Sequence, residues 1–206
     1  MIRIAIVGDI GAGKSHVAKL FGYPVFNADI EVAKLYKKNK KCYNKLRKTL
    51  PNYITSFPVK KSELSKAILE NRNNLKKISK IVHPEIRRKM YNFTKKYKNK
   101  KFVVLDIPLL LENKINKKND IIIFVDANKK DINKELKKRH IINKKILKKF
   151  QLPIEIKKKK ANFILKNNFK NNFVKKSVKR LLEKIKLYDW SYIGYRNYWF
   201  INKRKT

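Results

Sequence analysis

The stretch that most constrains the fold of this chain is IVGDIGAGKS, residues 6–15. Gly8, Gly13, Lys14 and Ser15 within it fit the pattern G-x-x-x-x-G-K-[ST]. An apolar, β-branched run precedes the pattern and a segment with helical periodicity follows it. Glycines let the backbone turn its N–H groups toward a phosphate, and the start of the helix adds partial positive charge. The stretch therefore predicts a phosphate-binding loop between a strand and a helix.

The loop pattern also predicts what the loop binds, which is a nucleoside triphosphate with Mg²⁺. Lys14 is expected to reach the β- and γ-phosphates of a nucleoside triphosphate, and Ser15 offers a hydroxyl to Mg²⁺. The residues expected to bind the nucleotide in this region are Gly8, Gly11, Ala12, Gly13, Lys14, Ser15 and His16.

Apolar runs alternate with helical patterns along the rest of the chain. Strands are predicted at Arg3–Val7, at Pro24–Asp29 and within residues 101–108, 120–127 and 161–167; helices are predicted at Lys14–Phe21, over most of 30–90 with Ser62 and Pro84 near helix starts, and from Phe173 to about Tyr188. This alternation predicts an α/β fold with about five parallel strands and helices on both faces.

Two carboxylates follow predicted strands at positions where parallel strands share an edge. Asp29 closes the second strand and is a candidate to deprotonate an acceptor hydroxyl. It also precedes a helix, so a helix N-cap is the alternative, and the two roles are compatible. Asp106 ends the strand FVVLD and is a candidate to hold Mg²⁺ through water.

The ordered set of motifs resembles the dephospho-CoA kinase family over roughly Ile2 to Leu187. It comprises the loop, FNADIEVAKLY, IVHPEIRRKM, DIPLLLE, and Gln151 ahead of ANFILKNN. The resemblance implies transfer of the γ-phosphate of ATP to the ribose 3′-hydroxyl of dephospho-CoA, which completes coenzyme A. It further implies a P-loop kinase core with a helical substrate region at about 30–98 and a lid at about 129–158. Residues 188–206 form an aromatic and basic tail outside the resemblance.

The resemblance also implies roles for individual residues. Asp29 matches the catalytic aspartate, and Arg139 falls where a lid arginine is expected to reach the phosphates. Asn167 lies in a segment expected near the adenine, and substrate contacts are expected at Asp29, His83, Pro108, Leu109, Leu110 and Glu112. The loop motif and the strand end, by themselves, predict Lys14 as a catalytic residue and Ser15 and Asp106 as metal ligands. Departures from the family pattern stand at Val7, Asp9, His16, Asn27 and Asn162.

The net charge of +40 comes mostly from lysine. Attraction of polyanions is one interpretation, and compositional drift is the other. The lysines are spread along the whole chain, which favours drift over a nucleic-acid footprint on one face. In the tail, aromatic rings next to basic residues suit stacking on single strands, but packing on the domain is the commoner fate.

The composition bears on the cellular compartment in which the protein is expected to work. One cysteine, Cys42, rules out an internal disulfide and suits a reducing cytoplasm. We expect a cytoplasmic protein, favour a monomer, and expect ATP and dephospho-CoA as partners, with no specific nucleic acid and no membrane. Two other functions stay open, which are a different small-molecule P-loop kinase and a basic nucleic-acid-binding P-loop protein.

Overall fold

A computed structural model describes residues 1–138 and 150–191 of the chain. The strands are β1 (Ile2–Gly8), β2 (Val25–Asn27), β3 (Phe102–Asp106), β4 (Ile121–Ala127) and β5 (Phe163–Asn167). The helices are α1 (Lys14–Leu20), α2 (Ala28–Lys38), α3 (Lys40–Thr49), α4 (Lys61–Glu70), α5 (Asn73–Lys96), α6 (Lys129–Lys138), α7 (Ile154–Lys160) and α8 (Asn171–Ser191). All five predicted strands and the helical character of residues 30–90 are confirmed.

The strands form one sheet in the order β2-β3-β1-β4-β5. The pairs β1–β4, β2–β3 and β4–β5 are parallel, as the alternation of strands and helices predicts. Every residue of β3 is buried, and so are residues 3–8 of β1, which explains why these strands have no alternating polar positions. The predicted α/β class with a parallel sheet is therefore confirmed.

By its internal contacts, the chain divides into two compact units. The first unit comprises Met1–Arg3 and Pro24–Pro108, and thus contains β2, β3 and helices α2 to α5. The second unit comprises Ile4–Tyr23 and the described residues from Leu109 onward. The phosphate loop lies in the second unit, whereas Asp29 and Asp106 lie in the first.

Helices α2 to α5 of the first unit surround their own apolar cluster. Its buried members are Leu35, Cys42, Leu46, Leu50, Ile54, Val59, Leu64, Ala67, Ile78 and Val82. Burial raises the pKa of the Cys42 thiol to about 11, so this thiol stays protonated at neutral pH. The cluster gives the first unit a core that is separate from the sheet.

The prediction that Pro84 begins a helix was wrong, because Pro84 lies inside α5. Ile78, Val82 and Ile86 of this helix all pack on the apolar cluster of the first unit. A proline in a helix interior costs about 3 kcal/mol, and this packing favours a continuous helix despite that cost. His83 is therefore helical and not extended, although a residue before proline usually avoids the helical conformation.

The predicted helix start at Ser62 also differs. Ser62 is the second residue of α4, and the N-cap position belongs to Lys60. The Glu63 carboxylate reaches back to the backbone N–H of Lys60 at 3.5 Å and accepts a hydrogen bond from the Ser56 hydroxyl at 2.9 Å. A glutamate in the first turn thus organises this helix start in place of the serine.

In the second unit, α8 packs on β5 and on α1. Its buried side chains are Val174, Val178, Leu181 and Ile185, which repeat at helical spacing. This helix was predicted from the same pattern, and the structure extends it by two residues before Phe173. The described residues include no helix that is long and apolar enough to cross a membrane.

Candidate active site

The phosphate-binding loop joins β1 to α1, as its pattern predicts. Gly13 has a φ of 84°, in the left-handed region that favours glycine, and a Cβ there would lie 2.3 Å from Nδ2 of Asn167. A Cβ on Gly8 would lie 2.8 Å from the carbonyl oxygen of Val125. Glycine is therefore required at both positions. At Gly13 the reason is the left-handed backbone conformation, and at Gly8 it is the close approach of the backbone of Val125.

Lys14 folds its side chain over this loop. Its Nζ donates a hydrogen bond to the carbonyl oxygen of Asp9 at 2.7 Å and lies 3.4 Å from that of Gly8. The ammonium group is therefore held beside the loop by main-chain oxygens. This arrangement places a positive charge next to the backbone that the motif assigns to phosphate binding.

Asp9, a departure from the family pattern, turns its carboxylate toward the loop itself. Its Oδ1 accepts a hydrogen bond from the backbone N–H of Ile10 at 2.7 Å. A carboxylate beside bound phosphates would repel them. In this structure the negative charge is engaged by a loop N–H group.

Asn167, at the end of β5, also contacts the loop. Its side chain is 3% exposed, and its Nδ2 donates to the carbonyl oxygen of Ala12 at 2.8 Å. Its Oδ1 accepts from the backbone N–H of Phe169 at 2.9 Å, and Phe169 adopts a φ of 59°. The structure thus brings Asn167 to the loop, where it positions the backbone of Ala12; its predicted contact with ATP stays a prediction.

Asp29 does not close β2 and is not the N-cap, so both predictions for its local structure were wrong. Strand β2 ends at Asn27, and Asp29 is in the first turn of α2. The cap is Asn27, whose Oδ1 accepts a hydrogen bond from the backbone N–H of Ile30 at 2.8 Å. Asparagine caps helices as well as aspartate does, so its place three residues before Ile30 was the signal that sequence reasoning missed.

Asp106 is the last residue of β3, as predicted, and it is 3% exposed. In the parallel pair of β2 and β3 its Cα is the register partner of Asn27. The Asn27 side-chain amide donates a short hydrogen bond to Oδ2 of Asp106. The first unit therefore brings Asn27, Asp106 and the helix turn that carries Asp29 together at one edge of its sheet.

Glu112, predicted to contact substrate, is engaged within the second unit. Its Oε1 lies 2.8 Å from Nζ of Lys157 and accepts from the backbone N–H of Leu152 at 3.0 Å. Lys157 is 3% exposed and also donates to the side chain of Gln151 at 3.2 Å. Burial by itself raises the pKa of Glu112, but the hydrogen bonds from Lys157 and Leu152 outweigh it, so the pKa is lowered.

Three other residues predicted to contact substrate, Leu109, Leu110 and His83, differ in burial and backbone conformation. Leu110 is 1% exposed and belongs to the core, and Leu109 adopts a φ of 57°. His83 is half-buried on α5, where burial and then the nearby Arg87 lower the pKa of the imidazole. A neutral His83 is therefore favoured at neutral pH. Arg139 lies outside the described residues.

A family model described as dephospho-CoA kinase matches residues 2–172. The chain belongs to the dephospho-CoA kinase family. A dephospho-CoA kinase from Wolbachia pipientis is 34% identical over 191 residues, which cover 89% of this chain and 98% of that protein. One from Bartonella quintana is 36% identical over 177 residues, covering 79% of this chain and 87% of the relative.

Solved structures agree with the family on the fold. A crystal structure of a Thermus thermophilus protein matches with a TM-score of 0.70 and 27% identity, covering 89% of this chain and 97% of that one. A dephospho-CoA kinase from Campylobacter jejuni matches with a TM-score of 0.61 and 21% identity, covering 89% of this chain and 96% of that one. The latter supports the fold alone.

The predicted Mg²⁺ ligands, Ser15 and Asp106, lie in different units of the chain. Mg²⁺ in kinase sites is bound through one or two protein oxygens together with the phosphates of the substrate. Ser15 carries a hydroxyl and Asp106 a carboxylate, and each is by itself an oxygen donor of this kind; that they bind Mg²⁺ stays a prediction. Among the described residues there is no group of three or more histidine, cysteine or acidic side chains that could hold a metal without a substrate.

Proposed function

We propose that this member of the dephospho-CoA kinase family transfers the γ-phosphate of ATP to the ribose 3′-hydroxyl of dephospho-CoA, the last step of coenzyme A synthesis. The observation that carries the proposal is the match of the family model to residues 2–172, which includes the phosphate loop. Relatives that carry the name dephospho-CoA kinase align with almost their whole length, which supports the same reaction here.

The loop residues supply phosphate binding in this proposal. Backbone N–H groups from Gly8 to Ser15 surround the β- and γ-phosphates, and the start of α1 adds partial positive charge. Lys14 exchanges its hydrogen bond with the carbonyl oxygen of Asp9 for contacts to phosphate oxygens. Ser15 and Asp106 are the proposed Mg²⁺ ligands, and the bound ion would neutralise charge on the phosphates.

Asp29 is the proposed base, and this assignment rests on the family pattern. Its carboxylate accepts the proton of the ribose 3′-hydroxyl as that oxygen forms a bond to the γ-phosphorus. The bond between the γ-phosphorus and the β–γ bridging oxygen breaks at the same time, and ADP leaves with the electron pair. Arg139 is proposed to contact the phosphates. We further propose that the enzyme works in the cytoplasm as a monomer.

The deciding experiment compares acceptors under identical conditions. Purified protein with ATP and Mg²⁺ is offered dephospho-CoA, a panel of nucleoside monophosphates, or other small hydroxyl compounds, and ADP release is measured. Turnover with dephospho-CoA alone supports the proposal. Preference for a nucleoside monophosphate would replace it with a different small-molecule kinase.

The nucleic-acid alternative is tested by salt. A chain with a net charge of +40 retains polyanions at low ionic strength, and such binding weakens steeply as salt rises. Paired salt titrations of oligonucleotide binding and kinase turnover separate the two functions. Oligonucleotide binding that survives physiological salt, with no turnover of dephospho-CoA, would favour the nucleic-acid alternative.

A further inference from the structure

The side-chain amide of Asn27 serves two partners at once. Its Oδ1 accepts from the backbone N–H of Ile30 at 2.8 Å, which caps α2, and its Nδ2 donates to Oδ2 of Asp106. The two partners define the orientation of the amide, because the reversed amide would point its oxygen at a carboxylate and its hydrogens at an N–H group. One side chain thus connects a helix start to the end of a neighbouring strand.

One partner of Asn27 is a residue proposed to act in phosphoryl transfer, and the other belongs to the helix turn that carries a second such residue. Asp106 is a proposed Mg²⁺ ligand and is almost fully buried. Helix α2 carries Asp29, the proposed base, in its first turn. The acidic side chains of this turn are Asp29 and Glu31, and Glu31 is paired with Lys34 and Lys89. Asn27 therefore contacts one proposed functional carboxylate directly and holds the helix turn that carries the other.

We propose that Asn27 is a positioning residue, which orients Asp106 through its Nδ2 and fixes the start of α2, and with it Asp29, through its Oδ1. The part of this proposal that concerns catalysis rests on the function proposed above, whereas the structural coupling does not. An aspartate at position 27 can cap the helix, but its carboxylate offers no hydrogen to Asp106.

An amide and a carboxylate at position 27 would interact with Asp106 in opposite ways. Two ionised carboxylates in contact within a mostly buried site repel each other unless a proton or a cation lies between them. The Asn27 amide removes that repulsion and donates a hydrogen bond instead. The arrangement of Asp106 and the helix start is therefore stable without any bound cation, and one oxygen of Asp106 is held by protein.

The chain offers a matched control in Asn39, which caps α3 with the same geometry. Its Oδ1 accepts from the backbone N–H of Cys42 at 2.8 Å. In the described part of the chain, the Asn39 side chain makes no hydrogen bond to a carboxylate. Substitutions at Asn39 therefore report the effect of a cap alone, and equivalent substitutions at Asn27 report the cap together with the contact to Asp106.

The first test measures thermal unfolding of the full chain in a chelator, without nucleotide. Asn39→Ala is expected to lower Tm by about 2–4 °C through loss of one cap, and Asn39→Asp is expected to leave Tm nearly unchanged. Asn27→Asp retains a cap acceptor but is expected to lower Tm by more than Asn39→Ala does. The double variant Asn27→Asp with Asp106→Asn restores an amide–carboxylate pair with the roles exchanged, and most of the lost Tm should return.

The second test measures kinetics of the same variants with ATP and dephospho-CoA. In the double variant the carboxylate has moved from β3 to β2, so kcat is expected to stay at least tenfold below wild type although Tm has recovered. The KM for dephospho-CoA should change much less than kcat. Asn39→Asp is expected to retain wild-type kcat, because it leaves the contact between Asn27 and Asp106 intact.

Each outcome decides one part of the proposal. If Asn27→Asp unfolds at the same temperature as Asn39→Asp, or if the double variant recovers no stability, the coupling between Asn27 and Asp106 is disproved. If kcat returns together with Tm in the double variant, a carboxylate at the end of β3 is not needed for turnover, and the catalytic part of the proposal is disproved. A wild-type chain that does not phosphorylate dephospho-CoA would overturn the proposed function and the catalytic part, while the unfolding data would still decide the coupling.

Discussion

The phosphate loop and the segment DIPLLLE at residues 106–112 were both marked by sequence motifs, but their contacts arise differently. The turn of the loop follows from the conformations of its own glycines, so its pattern predicts its shape, although the distant residue Asn167 also holds it. The carboxylates of the segment bind residues far along the chain, because Asp106 contacts Asn27 and Glu112 contacts Lys157. A motif thus predicts structure best where the partners are local.

The largest effect is expected in the loop. Lys14→Ala should abolish measurable phosphoryl transfer and leave the fold intact, because the motif aims this ammonium at the β- and γ-phosphates. Turnover and circular dichroism are the measurements. Lys19→Ala is the matched control, since it removes an exposed lysine from the same helix. Normal turnover of Lys14→Ala would remove the loop from the mechanism.

A smaller effect is expected at the base. Asp29→Asn should fold and bind ATP but lose about 10²- to 10⁴-fold in kcat, the usual value of general-base assistance. Single-turnover kinetics separate this loss from weaker ATP binding. Asp106→Asn is the comparison, and its defect should appear mainly in the dependence on Mg²⁺. Full activity of Asp29→Asn, with loss in Asp106→Asn, would show that the wrong carboxylate was assigned as base.

A substitution at Glu112 tests a contact between residues that are distant in sequence, the ion pair of Glu112 with Lys157. Glu112→Gln leaves the buried Lys157 ammonium without its counter-charge, so unfolding should become easier by about 3 kcal/mol. Denaturant unfolding measures the loss. Glu85→Gln is the control, because Glu85 and Arg88 also approach to 2.8 Å but on an exposed surface, where a pair contributes about 0–1 kcal/mol.

A double variant refines this measurement. Glu112→Gln combined with Lys157→Met removes both charges, and it should be more stable than Glu112→Gln alone because no uncompensated charge remains buried. Equal stability of the two variants would mean that the ion pair is not what Glu112 contributes.

The smallest effect is the dependence of stability on pH. The folded-state pKa of Glu112 lies below its unfolded value, so its contribution is complete above the unfolded pKa of about 4.3 and is lost as pH falls through the folded pKa. The stability difference between wild type and Glu112→Gln should therefore narrow below about pH 4.5. A difference that stays constant down to pH 3 would contradict the lowered pKa.

The sequence by itself determined the features that depend on near neighbours. The glycines, Lys14 and Ser15 predicted the loop, because φ angles and N–H directions are set by the residues of the turn itself. Continuous apolar runs such as FVVLD predicted buried parallel strands, because a strand covered on both faces has no polar side. The ordered motifs predicted the family, which the match to residues 2–172 confirms.

Only the tertiary structure decided the features whose energy comes from distant partners. Pro84 lies inside α5 because the helix packs on the apolar cluster, and local propensity cannot include that gain. Asn27 became the partner of Asp106 because parallel pairing brings residues 79 positions apart into register. Lys157 is buried next to Glu112, which neutralises it from 45 residues earlier in the chain, and no local pattern distinguishes it from the less buried lysines that follow it.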